Sequence, residues 1–261
     1  MNEASVGHQC PECVAEGRRS QRAARTVVGG TTAGSAGTVT SVLVGLNVAV
    51  MIISVALGGL PAVLSGNSPL VGWGDTLGYA AYFPGGPAHG VAAGEYYRLI
   101  TATFLHLGIV HLGLNMWALW SIGRQLEAAL GRIRFLALYL VAGLGGSVAD
   151  YVISPPNHSS AGASGAIFGL FATYFVVLRR MGKDMSTVIP TVVMLLIFTF
   201  VIQNVSIFGH IGGFVTGGVL AVAMAYAPQK LRMPVQVGAF AATCLILVAL
   251  VVWRTLSLTG G

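Results

Sequence analysis

Seven apolar runs of membrane-crossing length constrain this chain more than any other feature. They fall at roughly 42–60, 101–122, 134–153, 161–178, 188–204, 207–227 and 235–253. A spanning helix needs about 20 mainly apolar residues, with a range of ~17–25, so the fourth and fifth runs are at the short end. The competing reading is a large soluble core. Composition argues against it, because 55% of the residues are hydrophobic and only 8% charged, whereas soluble domains carry about 25% charged residues. The 36 glycines suit membrane helices, which pack closely through small residues. The expected fold is therefore all-α, a polytopic membrane bundle of seven helices. Residues 1–40 form a polar tail ending in a Gly/Thr/Ser/Ala linker over 29–40, 41–227 hold the first six runs, and 228–261 the seventh with its tail. The tail lacks the ordered regions of a signal peptide, so the first run is expected to stay as a helix.

Charge sets an orientation. Arg18, Arg19, Arg22 and Arg25 precede the first run; Arg124, Arg132 and Arg134 lie between the second and third. Arg179, Arg180 and Lys183 follow the fourth, and Lys230 and Arg232 follow the sixth. These are alternate loops, so all share one side, leaving only Arg98 and Arg254 opposite. The positive-inside rule then predicts a cytoplasmic N-terminus and an external C-terminus in the cell membrane. The net charge of +6 reads as a topology signal, not as a nucleic-acid footprint. Segment 61–97 lies outside, and its aromatics, including Trp73, Tyr79, Tyr96 and Tyr97, suit the membrane interface. It reads as a partly embedded loop.

Strongly polar residues inside spans are costly and are functional candidates. Here they are Asn47, His106, His111, Asn115, Asp150, Ser164 and His210. At 1.5 Å per residue, Ser164 stands roughly 22 Å, His111 roughly 20 Å and His210 up to ~30 Å from the cytoplasmic edge. All occupy the outer half of a core about 30 Å thick. His111 and Asn115 share a helix face, as do Ser164 and Phe168, because each pair is four residues apart. Ala161, Gly165 and Gly169 form one small-residue stripe and Gly209, Gly213 and Gly217 another. Such stripes bring two backbones together, as a Ser164–His210 hydrogen bond requires.

A serine hydroxyl becomes a competent nucleophile when a base takes its proton, and His210 is the imidazole on the facing helix. Attack on a carbonyl makes an oxyanion that needs prepared donors; His111, the Asn115 amide and the Ser164 backbone N–H are candidates. Positive character at the start of the fourth span would assist. No carboxylate has a spacing that ties it to His210, so a Ser–His dyad is expected. Asp150 reads as a capping or loop-anchoring group, and His89 and His158 as solvated loop residues. Taken singly, each of these polar residues reads as packing or helix-to-helix glue, and the catalytic case rests on their combination. The alternative is a non-catalytic membrane-protein binder or a proton-handling transporter.

The combination resembles the rhomboid intramembrane serine proteases. The resemblance rests on Tyr97-Arg98, on His106, His111 and Asn115, on Gly162-Ala163-Ser164-Gly165, and on Gly209-His210 with its glycine stripe. It covers about residues 42–227 and implies a six-helix core over 41–227, to which a seventh helix is a known variation. It implies Ser164 as nucleophile, His210 as base, and His111, Asn115 and the Ser164 amide as the oxyanion site. It gives His106 and Arg98 supporting roles, together with Gly162 and Gly165, and has Glu127 fix the loop after the second span. Phe168 stands where the family often has Tyr; stacking on His210 survives that change and a hydroxyl contact is lost. The implied substrates are single-span membrane proteins, cut near the external face with no cofactor required.

Cys10-Pro11-Glu12-Cys13, with His8 before it, is one CxxC pair. A structural zinc site needs four ligands, usually two such pairs, so His8, Cys10 and Cys13 fall short. The segment is similar to the end of the zinc-ribbon-like head of some actinobacterial rhomboids, whose other half would lie upstream of Met1. Cys244 reads as inert packing.

Overall fold

A computed structural model of the chain describes residues 2–3, 8–20, 28, 37–81, 86–184, 186, 189–190, 193–194 and 206–260. The fifth apolar run, 188–204, lies almost wholly outside the described residues, as does most of the 29–40 linker. The helices are α1 (Pro11–Ser20), α2 (Thr38–Leu64), α3 (Pro69–Gly74), α4 (Arg98–Thr101), α5 (Ile109–Leu130), α6 (Arg132–Ile153), α7 (Ser164–Arg180), α8 (Ile207–Tyr226) and α9 (Arg232–Thr259). Among the described residues, four helices have the length and hydropathy to cross a membrane, and a bent pair makes a fifth candidate. The protein is an all-α, multi-pass membrane bundle.

Helix α7 sits at the centre. Every residue from Ala166 to Thr173 is buried, the pattern of a helix that is apolar all round and packed on all sides. Arg179 and Arg180 occupy its last turn. It packs most extensively on α8, which also packs on α6; α5 lies against α7 and α6, α2 covers α5, and α9 covers α6 and α8. The peripheral helices α2 and α9 leave broad apolar faces uncovered, with Ile52, Leu57, Leu245 and Trp253 exposed. In a bilayer, lipid tails cover such faces.

Glycine sets the depth of the α7–α8 contact. A methyl group on Gly213 would stand 2.6 Å from the carbonyl carbon of Gly165, and one on Gly217 would strike Gly169. A third line involves α6, where a methyl on Gly212 would meet the Gly145 carbonyl oxygen at 2.6 Å. The two stripes expected from the sequence therefore face each other, and α6 adds its own.

The second span departs from its expected limits. The uninterrupted apolar run suggested a helix over 101–122, but the chain turns by 87° between residues 98–104 and α5. The turn uses Leu105 in an extended conformation and Gly108 at φ 109°, ψ 165°. That region is open chiefly to glycine. The helix then continues past Arg124 to Leu130, and Gly131 alone, at φ 82°, reverses the chain into α6. The first span is longer than expected and breaks at Gly59 (φ 75°, ψ 162°) ahead of Pro61, which has no N–H to donate to the helix's hydrogen bonds.

Gly213→Val is expected to lower the unfolding free energy by about 1–3 kcal/mol or more, the usual cost of overpacking. Gly45→Ala, where a methyl meets nothing within 4 Å, should leave stability unchanged or raise it slightly. Thermal unfolding of the two variants in the same detergent checks the contrast.

Candidate active site

Three helix N-termini meet at one end of the bundle. Ser164 is the first residue of α7, His210 lies in the first turn of α8, and His111 in the first turn of α5. N-terminal N–H groups have no partner within their helix, and the aligned peptide dipoles make such ends favourable for negative charge.

The Ser164 Oγ and His210 Nε2 are 2.7 Å apart. His210 is buried, and its ring stacks on Phe168 with centroids 4.3 Å apart and planes inclined by 14°. Phe168 is one turn below Ser164 on the same face, so α7 supplies both the hydroxyl and the wall that holds its imidazole partner. A third contact closes the group: Gly162 has φ 148°, and a methyl there would lie 2.8 Å from His111 Cε1 and 3.0 Å from its Nε2. His111 can approach the residues before Ser164 only because position 162 carries no side chain. Asn115, one turn along α5, is buried, and its amide nitrogen has no protein partner. A buried donor without an acceptor is costly, which makes this amide a donor suited to a guest oxygen.

His106 stands in the extended stretch before α5. Its Nε2 accepts the Ala163 N–H at 3.5 Å, and its ring meets His111 edge-on at 5.2 Å. Gly165 touches α8, as described above. A small cavity of about 30 Å³ lies beside the pair, with Ser147, Asp150, Ser160, Ser164, Ser206 and His210 on its wall. That is room for a water molecule among polar groups.

Arg98 is 2% exposed and belongs to the outer segment. Its Nη1 lies 2.6 Å from Asp75 Oδ1 and its Nε 2.6 Å from Glu95 Oε2, and it donates to the Gly72 carbonyl at 3.0 Å. Burial pushes the Asp75 carboxyl above its usual range, opposed by the Ser159 hydroxyl and Arg98. For Glu95, partial burial acts upward, but the Gly90 N–H, His89 and Arg98 outweigh it and hold the carboxyl below its usual value. The outer segment also contains α3 and a two-residue hairpin, Ala80–Ala81 against Ala88–His89. It is a built cap around a buried ion cluster, more ordered than a loop. Neither Asp75 nor Glu95 carried a spacing signal, and His89 meets Glu95 at 3.1 Å where a solvated residue was expected.

Two other expectations gain detail. Glu127 meets the turn after α5, where its carbonyl accepts the Gly131 N–H at 2.8 Å and its carboxylate stands 3.9 Å from Arg132 Nε, and it also reaches α2. Its carboxylate accepts the Val39 and Thr40 N–H groups at 3.0 and 2.9 Å and the Thr40 hydroxyl at 2.9 Å. It thus caps α2, whose own N-cap residue, Gly37, has no side chain to do so. Asp150 is a capping and loop-anchoring group, as expected, and it joins more segments than its position suggested. Its carboxylate accepts hydroxyls from Ser154 at 2.6 Å, from Ser160 and from Ser206, and His158 stands 3.7 Å away. Ser206 was legible as the polar residue preceding an apolar run, the usual mark of a helix start.

In the tail, the Cys13 N–H donates to Cys10 Sγ at 3.1 Å. Hydrogen bonding from Cys13 holds the Cys10 thiol below its ordinary value. Among the described residues, no three His, Cys, Asp or Glu side chains gather as a metal site; the His8 side chain lies outside the description.

The fold and this site define a multi-pass membrane protein with a serine–histidine pair set at helix N-termini. The family model for the Rhomboid domain matches residues 93–227, just over half of the 261 residues. The chain belongs to the rhomboid family. It is similar to Rhomboid protease GluP of Bacillus subtilis (43% identical over 139 residues, covering 51% of this chain and 27% of that protein). It is also similar to Putative rhomboid protease YdcA of the same organism (39% over 137 residues, 51% and 69%) and to RHOMBOID-like protein 4 of Arabidopsis thaliana (36% over 145 residues, 53% and 36%). The match thus spans about a quarter of GluP and about two thirds of YdcA.

Arg98→Ala leaves Asp75 and Glu95 without their cation. Breaking a buried pair costs about 3–5 kcal/mol, and a loss of that order is expected in detergent unfolding at neutral pH. Glu95, held low in the folded state, contributes its stabilisation above the ordinary carboxylate range and loses it as the pH falls through its lowered value. The gap between Arg98→Ala and wild type should therefore narrow on acidification; a gap that widens would contradict the assignment.

Proposed function

We propose that the chain is an intramembrane serine endopeptidase that hydrolyses peptide bonds in or near the transmembrane segments of single-span membrane proteins. The observation that carries this reading is the 2.7 Å contact between Ser164 Oγ and His210 Nε2, with His210 stacked on Phe168. In the tautomer with its proton on Nδ1, the imidazole accepts the hydroxyl proton as Ser164 Oγ attacks the scissile carbonyl. The C=O electron pair moves onto oxygen. His111, the Asn115 amide and the Ser164 N–H receive that oxyanion at the positive end of three helices. When the tetrahedral intermediate collapses, the protonated imidazole delivers its proton to the leaving amine and an acyl-enzyme remains. Water, activated by the same imidazole, then releases the acid and restores Ser164.

Asp150 does not take the place of a triad acid in this scheme, since its oxygens are engaged by the hydroxyls of Ser154, Ser160 and Ser206. The working unit is a Ser–His dyad. His106 supports the loop at Ala163, Gly162 and Gly165 admit their neighbours, and Arg98 and Glu127 hold the outer segment and α2. Charge sorting favours a cytoplasmic N-terminus, an external C-terminus and a site toward the external face. A substrate helix has to unwind there, because a hydrogen-bonded helix hides its carbonyls. No cofactor enters the chemistry, and the Cys10/Cys13 pair is separate from it.

Purified protein should cleave a model single-span substrate, and Ser164→Ala should abolish the cleavage. Full cleavage by that variant would refute the nucleophile. Asn115→Ala should reduce kcat by about 10²–10³-fold, the usual loss for one oxyanion donor, with KM little changed. A loss confined to KM would assign Asn115 to substrate binding.

A further inference from the structure

We propose that Asp150 is a positioning residue that sets the Ser164–His210 distance by tying the loop carrying the serine to the helix carrying the histidine. The inference rests on the peptidase reading above.

The sequence separates these two elements. Ser164 follows the 154–163 loop out of α6, while His210 opens α8 after an intervening run. Glycine contacts let α7 and α8 approach, but a smooth glycine seam fixes separation better than it fixes sliding along the helix axes. Something with directional bonds has to fix that sliding, and Asp150 supplies it. Its side chain is 2% exposed at the last turn of α6. One oxygen accepts the Ser160 hydroxyl, four residues before Ser164. The other accepts Ser154, the C-cap of α6, and Ser206, the N-cap of α8, four residues before His210. The Ser206 hydroxyl oxygen in turn accepts the Gly209 N–H at 2.9 Å, and its backbone carbonyl accepts the His210 N–H at 3.2 Å. One carboxylate therefore holds the residues that start both catalytic elements.

The tether continues outward. Ser159, beside Ser160, donates to Asp75, which Arg98 holds. The Ser160 carbonyl also accepts the Thr76 N–H at 2.8 Å. The loop before the nucleophile is clamped from the outer cap on one side and from α6 on the other. Charge-assisted hydroxyl–carboxylate bonds are about twice as strong as neutral ones.

The test compares wild type, Asp150→Ala, Asp150→Asn, Ser206→Ala and the Asp150→Ala/Ser206→Ala double variant, all as full chain in detergent. Misplacement near 1 Å costs up to about 100-fold in rate. Asp150→Ala should therefore lower kcat by about 10–100-fold while KM stays within about twofold. Asp150→Asn should recover most of the rate, because its amide oxygen can accept Ser206 and Ser154 and the Ser160 hydroxyl can turn to accept from its nitrogen. The double variant should be no slower than Asp150→Ala, since both substitutions cut the same link. Wild-type kcat in Asp150→Ala, or losses that multiply in the double variant, would overturn the inference. If Asp150→Ala does not fold, Ser206→Thr, which keeps the hydroxyl, should be faster than Ser206→Ala, and equal rates would overturn it. If wild type itself cleaves nothing, the peptidase reading fails, and amide exchange at Gly209 and His210 decides the tether. Faster exchange in a folded Asp150 variant supports it, and unchanged exchange refutes it.

Discussion

The approach of α7 to α8 is the constraint on which everything else depends. Side chains between two helices normally hold their axes 8–10 Å apart, with polar groups at their ends free to miss one another. Here Gly165 and Gly169 face Gly213 and Gly217 with no room for a methyl group between them. That seam leads directly to the end where Ser164 and His210 stand 2.7 Å apart. A hydrogen bond tolerates only a few tenths of an ångström, so a single side chain in the seam bears directly on the site. Thr173 adds direction lower down, donating to the Gly169 carbonyl at 2.8 Å and to the Gly217 carbonyl at 3.3 Å.

Polar groups in an apolar bundle have to find partners within the protein. The described residues meet that demand by sharing acceptors across elements. Glu127 caps a helix that has no capping side chain of its own, Asp150 gathers three hydroxyls, and Asp75 with Glu95 holds Arg98. Arg254 does the same for α6, donating to the carbonyls of Tyr151 and Ser154 at 3.4 and 3.3 Å. The links from Glu127 to Thr40, Asp150 to Ser206, Asp75 to Arg98 and Arg254 to Tyr151 join residues distant in sequence. The Asn115 amide nitrogen is a buried donor with no protein acceptor, which suits a role that is filled only when substrate oxygen arrives.

The bundle was legible because its signals are one-dimensional. Run length, charge alternation and the spacing of glycines can be counted along the chain, and α6, α8 and α9 lie close to their expected limits. The Ser164–His210 contact was legible for the same reason, since each residue lies beside a glycine stripe. The 87° turn before α5 was not, because apolar residues continue through it and Gly108 alone is a weak mark. The contacts of Glu127 and Asp150 were also hidden. They join residues 88 and 56 positions apart, and no local pattern records such a pairing. The described parts of the cap around Arg98 hid their order similarly, because the ion contacts and backbone bonds that hold them follow no periodic pattern.

The most direct test of the central claim is the site and rate of covalent labelling by a fluorophosphonate, mapped by mass spectrometry on the full chain in detergent. The account predicts one adduct, on Ser164, formed quickly in wild type, lost in His210→Ala and strongly slowed in folded Gly213→Val. Labelling of Ser164 at the wild-type rate in His210→Ala would contradict it, because the hydroxyl would then owe its reactivity to something other than the imidazole across the glycine seam.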